Sequence, residues 1–310
     1  MTNIRLSIAI ANYNHGRFLQ QRISSIMSQM SSRDELIIVD DASTDNSCQI
    51  IDEFIRHDDR IKLFRNNQNL GVVKSANRAI SESRGEYLAS FSVDDVILPG
   101  FIETTMKVLV ENPNIPLCCS EFAFFHDTPQ KETADIIYTN HLIKNTKNVQ
   151  VYSHKKIVDA FRKTTFWIPG HTVIVKRSIV LDHQGLNESL GPFSDFFLLH
   201  SIALLYGAAY IPENLSALRL IGESYSNVES RNRKISRKNE LNLIDMICNK
   251  SSADLRYLFR RSGLINGYLR KRFMDLVLFP KYWDFLISSF IRFIERRTYK
   301  IGKRISSMRR

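Results

Sequence analysis

Five aspartates stand where an alternating fold most readily places chemistry, at the ends of apolar runs. Asp40-Asp41 follows Leu36–Val39, Asp94-Asp95 follows Tyr87–Phe91, and Asp195 opens a helical stretch. Any one such acid serves equally well as a helix cap or turn residue. Two adjacent pairs are harder to read that way, because neighbouring like charges repel and the cost is tolerated where a cation or hydrogen-bond donors offset it. Carboxylates completed by ligand phosphate oxygens are the ordinary surroundings of Mg²⁺ or Mn²⁺. The polar cluster Asn12–Asn14 falls at a third strand end. Together these residues describe an acidic edge suited to a phosphate-bearing ligand.

The elements that must position them can be read from periodicity. Leu6–Ala11 is a short apolar run with the look of a buried strand. Turn residues 12–16 lead into a helical stripe of Leu19, Ile23, Ile26, Met27 and Met30. After Leu36–Val39, Ser43, Thr44 and Asp45 supply cap chemistry for a helix carrying Ile50, Ile51, Phe54 and Ile55. Strands at Ile61–Phe64 and Tyr87–Phe91 flank a helix over 72–83. Strands and helices in alternation indicate βαβ units on a parallel sheet, whose ligands bind at the carboxyl ends of the strands. Beyond Pro99 the pattern predicts a helix over 101–110, an apolar segment Leu117–Phe125 and a polar stretch His126–Tyr152 without a clear element. A strand His171–Val175, a turn at Gly185, a helix Asp195–Leu205, a strand Ala208–Ile211 and a charged helix over 231–249 follow.

Four segments occur in order: Ser7-Ile-Ala-Ile-Ala-Asn-Tyr-Asn14, Ile38-Val-Asp-Asp-Ala-Ser-Thr-Asp45, Asn69-Leu-Gly-Val-Val-Lys-Ser-Ala-Asn77 and Arg84-Gly-Glu-Tyr-Leu-Ala-Ser-Phe-Ser-Val-Asp-Asp95, with Pro99 behind them. This arrangement resembles the family 2 glycosyltransferases of the GT-A fold, over roughly residues 4–220. The resemblance implies an α/β fold with a mostly parallel sheet flanked by helices. It implies a nucleotide-sugar-binding half (1–100) and an acceptor-binding half (101–222), and the residues beyond read as a helical, basic extension (223–310). It also implies transfer of a sugar from a nucleoside diphosphate donor to an acceptor hydroxyl with inversion. Tyr13 then packs on the nucleobase, and Asp41 accepts from the base imide, which favours uracil. Asp40 shapes the turn or reaches the ribose, and Asn12, Asn69 and Lys74 complete the donor side. Asp94 coordinates Mg²⁺ or Mn²⁺ on the diphosphate with help from Asp95, and Asp195 is the catalytic base. Trp167 and His171 face the acceptor, an aromatic there being able to stack on a sugar.

The chain departs from the family pattern where the cation matters. Ser92 replaces the first aspartate of the acidic motif, and Ile221 stands where a histidine usually precedes Gly222; Ala11 and Ala76 replace a proline and an arginine. These changes weaken the case for tight metal binding and favour one alternative, a weakly active or inactive sugar-nucleotide-binding assembly subunit; a second alternative, a nucleotidyltransferase, shares the α/β layout. The latter usually carries a Gly-rich, Arg-containing loop after its first strand, and Asn12-Tyr-Asn-His-Gly16 is not one.

Charge is segregated along the chain. The 310 residues carry a formal +11, yet residues 255–310 hold 15 Lys/Arg against 3 Asp/Glu and everything before them is close to neutral. Hydrophobic residues at 44% with 24% charged exclude a disordered or fibrous chain. The four cysteines lack metal or CxxC spacing and read as reduced thiols of a cytoplasmic protein. No secretory signal is evident, so the Asn-x-Ser triplets at Asn187, Asn214 and Asn249 read as chance matches. In the tail, Trp283, Leu286, Ile287, Phe290 and Ile294 form one apolar stripe, with Lys281, Arg292, Arg296 and Lys303 around it. Such helices lie in a membrane interface with their bases on anionic headgroups. The expectation is an enzyme held peripherally on the inner face of the cell membrane, acting on a glycan or lipid-linked acceptor in surface-polysaccharide synthesis. Packing of the tail on the body or on a second subunit of a homo-oligomer is the alternative. No nucleic-acid module accompanies the charge.

Overall fold

Strand β2 (Asp34–Asp40) is buried at every residue, which is why its centre is the uninterrupted apolar run Leu36-Ile-Ile-Val39. It lies between β1 (Leu6–Asn12) and β3 (Ile61–Arg65), and β4 (Tyr87–Phe91) joins on the far side of β1. All three pairings are parallel. Helices α1 (Gly16–Met27), α2 (Ser47–His57) and α3 (Val72–Glu82) make the crossovers. This is the alternation expected from the sequence, with boundaries shifted by a few residues. The computed structural model describes residues 4–125, 136–140, 142–143, 146–164, 166–220 and 231–294, with backbone alone at 136–140.

Past β4 the sheet becomes mixed. The strand order is β3-β2-β1-β4-β9-β6-β10-β5, with β7 (Ile136–Asn140) on β6 and β8 (Gln150–Ser153) on β10. A two-residue β5 (Val96–Ile97) precedes α4 (Phe101–Glu111) and β6 (Leu117–Phe125). Helix α5 (His154–Lys163) follows the polar stretch, and β9 (Val173–Lys176) lies antiparallel to both β4 and β6. His171 therefore sits in a short 3₁₀ turn (Gly170–Thr172) ahead of the strand in which the sequence placed it. Helices α6 (Arg177–Asp182) and α7 (Ser194–Tyr206) lead to β10 (Gly207–Arg219). That strand is far longer than Ala208–Ile211, because its register on β6 breaks at residues 211–214 and then resumes. Pro212, which has no N–H to give the ladder, stands at the break.

The C-terminal segment is helical, as expected: α8 (Arg233–Asp245), a π-turn (Met246–Lys250), α9 (Ala253–Ser262), α10 (Asn266–Lys271), α11 (Phe273–Leu276) and α12 (283–294). It is no separate body. Leu255, Phe259, Ile265, Leu269, Tyr282, Phe285 and Leu286 belong to the same buried cluster as Leu198, Ile202 and Tyr210. Ile221, Gly222, Arg296 and Lys303 lie outside the described residues. Among the described residues no helix is long and apolar enough to cross a membrane.

Candidate active site

The loops after β1 and β2 are knitted together before any ligand is considered. Asn12 Nδ2 donates to Asp40 Oδ2 at 2.8 Å, and the Ser43 amide donates to Asp40 Oδ1 at 2.9 Å. Both oxygens of Asp40 are thus engaged in shaping the turn. Asn14 Oδ1 accepts from the Thr44 amide, and Asp45 accepts from the amides of Gly16 and Ser47, tying the starts of α1 and α2 together. Tyr13 projects from this scaffold, 43% exposed, with its ring open to an incoming base. Asn12 Oδ1 is buried and meets no donor.

Asp41 is buried beneath the next loop. Its carboxylate accepts from Asn66 Nδ2 at 2.6 Å and from the amides of Leu70 and Gly71 at 2.9 and 2.8 Å. Burial opposes its charge, but these donors outweigh burial and hold the carboxyl below its ordinary value. Gly71 can turn its amide inward because its φ of 91° is open to glycine at little cost. Asn69 lies exposed in the same loop and accepts from the Gly71 amide. Lys74, one turn into α3, reaches Glu188 at 3.7 Å with both side chains half in solvent, a contact of little energetic weight.

The acidic pair after β4 is divided in role. Asp95 accepts from Ser92 Oγ at 3.0 Å and from the Arg219 amide at 3.1 Å, so both its oxygens are occupied. Burial and the neighbouring Asp94 charge push its carboxyl upward against those donors. Ser92, the departure from the family pattern, therefore works as a donor that fixes Asp95. Asp94 contributes its backbone carbonyl to Arg219 Nε at 2.8 Å. To its carboxylate no described protein group donates, and its side chain keeps some access to solvent. Among the described residues no cluster of three or more His, Cys, Asp or Glu could hold a metal alone. One carboxylate with free lone pairs suits a hard divalent cation that draws its remaining ligands from a diphosphate and water. The residues present are compatible with Mg²⁺ or Mn²⁺ in that form, in which Asp94 would be the ligand and Asp95 would stand braced beside it.

Sequence reasoning missed the cation behind this pair. Arg22 lies in the buried stripe of α1 with its guanidinium carbon 4.4 Å from the centre of the Phe91 ring. Among the described residues none of its three nitrogens finds a hydrogen-bond partner. Burial lowers its pKa to about 10, opposed by the charges of Asp95 and Asp94. The available signal was an arginine at position 22 amid Leu19, Ile23 and Ile26, on a face that should be apolar.

Strand β9 pairs with β4 at Leu88↔Val175 and Tyr87↔Lys176, and the turn Gly170–Thr172 runs directly into it. Asp195, in the first turn of α7, faces that turn so closely that a Cβ on Gly170 would fall 2.5 Å from Asp195 Oδ2. Only glycine leaves room for the carboxylate there. Burial raises the Asp195 pKa against the amides that its carboxylate accepts. Trp167 is exposed on the rim, edge-on to Phe122. His171, partly buried, packs edge-on against the same ring at 4.8 Å, and desolvation with the Arg22 charge drives its pKa to about 3, so the ring is neutral. His200 was also unforeseen: its Nε2 accepts from the Ile168 amide at 3.1 Å while Nδ1 meets the Phe196 carbonyl at 2.7 Å. It locks the Trp167 loop to the helix that carries Asp195.

Residues 7–181 match Glycosyl transferase family 2. The chain belongs to that family. The match spans the donor loops and the acidic pair and stops short of Asp195. An uncharacterized glycosyltransferase of Haemophilus influenzae extends the likeness, at 26% identity over 94% of this chain and 90% of that protein. The putative glycosyltransferase EpsE of Bacillus subtilis is 37% identical over 34% of this chain and 38% of its own length. In fold, the chain resembles S. aureus TarS, solved with UDP-GlcNAc, at a TM-score of 0.62 and 14% identity over 92% of this chain and 79% of that one. It also resembles the mannosyltransferase PcManGT of Pyrobaculum calidifontis, solved with GDP-Man and Mn²⁺, at a TM-score of 0.60 and 13% identity over 96% and 76%. A glycosyltransferase on a GT-A scaffold is what the sequence resemblance implied.

Proposed function

We propose that this family 2 glycosyltransferase is an inverting enzyme. It moves a hexosyl or N-acetylhexosaminyl group from a UDP-sugar to a hydroxyl of a glycan or lipid-linked acceptor, in the synthesis of cell-surface polysaccharide. The observation that supports this reading is that Asp195 lies against Gly170 in the turn that leads into β9, the antiparallel neighbour of β4, while Asp94 follows the end of β4 itself. Tyr13 packs on the uracil and Asp41 keeps the loop 66–71 shaped around it. The acceptor oxygen attacks the anomeric carbon as Asp195 takes its proton, and UDP departs from the opposite face of the sugar. Asp94 would hold a divalent cation, which would stabilise the charge gathering on the leaving diphosphate. Trp167 offers an aromatic edge to the acceptor sugar. A lipid-linked acceptor calls for an enzyme held at the inner face of the cell membrane through residues 255–310.

A second reading, a sugar-nucleotide-binding assembly subunit with little activity, is favoured by Ser92 and by the full engagement of Asp95. Calorimetric titration with UDP, GDP and dTDP, with and without Mn²⁺, followed by an assay of UDP release from UDP-sugars, separates the two. The enzyme reading expects metal-dependent UDP binding and donor turnover. Binding without turnover supports the subunit, and no nucleotide binding overturns both.

A further inference from the structure

Helix α12 is apolar on two sides. Tyr282, Phe285, Leu286 and Ser289 are buried against the body, whereas Trp283, Ile287, Phe290 and Ile291 stand out in solvent. The membrane-facing stripe read from the sequence is thus split: Leu286 belongs to the packed side, and Ile291 joins the open one. The exposed side continues into the preceding turn. Met274 and Leu278 are 79% and 81% exposed, with Phe273 and Phe279 about half exposed beside them. Trp283 Nε1 donates to the Val277 carbonyl at 2.7 Å, which joins the two groups into one surface. Singly exposed apolar residues are ordinary, but a continuous set of large ones marks a surface that something covers.

Charge names the cover. Along one border of this surface runs an open cleft of about 500 Å³, lined by Arg162, Arg260, Arg261 and Arg292 together with Ile287 and Ile291. Asp284 holds the cleft in shape by pairing with Arg256 and Arg260, which clamps α12 to α9. Residues 295–310, which continue from α12, carry seven Lys/Arg and one Glu. A second copy of this chain is a poor partner, because a two-fold contact sets the basic border against its own image. A nucleic acid would match the charge and leave the aromatic and aliphatic residues wet. An anionic phospholipid surface answers both halves, with acyl chains against the apolar residues and phosphates in the arginine cleft.

We propose that Met274, Leu278, Trp283, Ile287, Phe290 and Ile291 form a membrane-insertion face and that the cleft of Arg260 and Arg261 beside it receives phospholipid phosphates. The body side of the same helices braces the acceptor region. Phe197 of α7 stacks on Phe259 of α9, and Phe193 and Phe196 pack edge-on to Tyr268 of α10. Docking therefore fixes the helix that carries Asp195 relative to the bilayer, and a lipid-linked acceptor reaches it from the surface on which the enzyme sits.

The test is co-sedimentation of the full-length chain with vesicles of phosphatidylcholine alone and of phosphatidylcholine with phosphatidylglycerol, at low and high salt. The wild type is expected to bind the anionic vesicles, to leave the neutral ones largely in solution, and to weaken with salt. The variant I287E/F290E should lose at least about tenfold in vesicle affinity, and R261E on the order of tenfold. Titration of the same preparations with UDP reports separately on the fold and on the enzyme reading. The proposal is overturned if the wild type ignores anionic vesicles, if I287E/F290E binds them undiminished, or if ultracentrifugation shows a wild-type dimer that I287E/F290E disperses.

Discussion

At the level of single residues, the two carboxylates that the proposal separates can be told apart. Asp94→Ala removes a carboxylate to which no described protein group donates, unlike Asp95 with both oxygens occupied, so metal-dependent UDP affinity should disappear. Asp195→Asn keeps that affinity and loses roughly 10²–10⁴-fold in transfer, the usual contribution of a general base. Equal loss of UDP binding in both would refute the assignment. Asp195 also has a pH signature. Burial raises its pKa, a base works only when ionised, and so kcat/KM should fall on acidification at a pH above the ordinary aspartate value near 4. An acid limb at or below about 4 would exclude Asp195 as the base. Arg22 makes a different prediction. Asp95 holds its proton more firmly folded than unfolded, so folding stability is full below the ordinary carboxylate range and declines as pH rises to about 7. Arg22 opposes that shift, and Arg22→Met should steepen the decline. Thermal melts of both proteins across pH 5–8 would show it, and parallel curves would refute a counter-charge role. The spacing of α1 puts Arg22 on the buried face but does not say what it faces there, since that becomes visible only when the strand opposite is in place.

Among the elements, legibility followed how each one is buried. The strands β1, β2 and β4 are almost wholly buried and the edge strand β3 partly so, while the helices α1–α3 bury one side, so apolar runs and 3.6-residue stripes located them within a few residues. Strand β10 defeated the same reading because Pro212-Glu213-Asn214 looks like a terminus, whereas the ladder on β6 tolerates a break there and continues. Helix α12 defeated it for the opposite reason: with apolar residues on two sides, periodicity cannot say which side is packed. Helix α7 shows how an element carries function. Almost wholly apolar, it holds one buried histidine, and His200 joins it to the loop of Trp167. Burial keeps this ring neutral, with a pKa of about 4, so its hydrogen bonds persist throughout the working pH range. His200→Leu leaves the Ile168 amide unsatisfied, at a cost of about 1–3 kcal/mol, and frees the loop from the helix. Transfer should fall while UDP affinity stays, because no donor residue touches this link. Unchanged transfer kinetics would show that the loop needs no such tether.

For the molecule as a whole, the question is whether the basic extension is an appendage or part of the body. Sequence arithmetic separated a near-neutral body from a strongly basic tail, and that division of charge is real. It does not coincide with a division of the core. Phe259, fully buried, stacks on Phe197, and Leu255, Ile265, Leu269 and Phe285 share a cluster with α5, α7 and β10. Removing one such phenylalanine to alanine costs about 3–5 kcal/mol, a large part of the stability of an ordinary domain. A chain ended at Ser251 loses several of these side chains together and uncovers the outer face of α7. It should therefore fail to give a soluble protein with a cooperative melt, and it would be useless as a membrane-free control. The full chain with I287E/F290E should melt as the wild type does, because both residues project outward. If the shortened chain folded cooperatively and bound UDP as tightly as the full one, the extension would be a separable module after all, and its bracing of Asp195 would have to be abandoned.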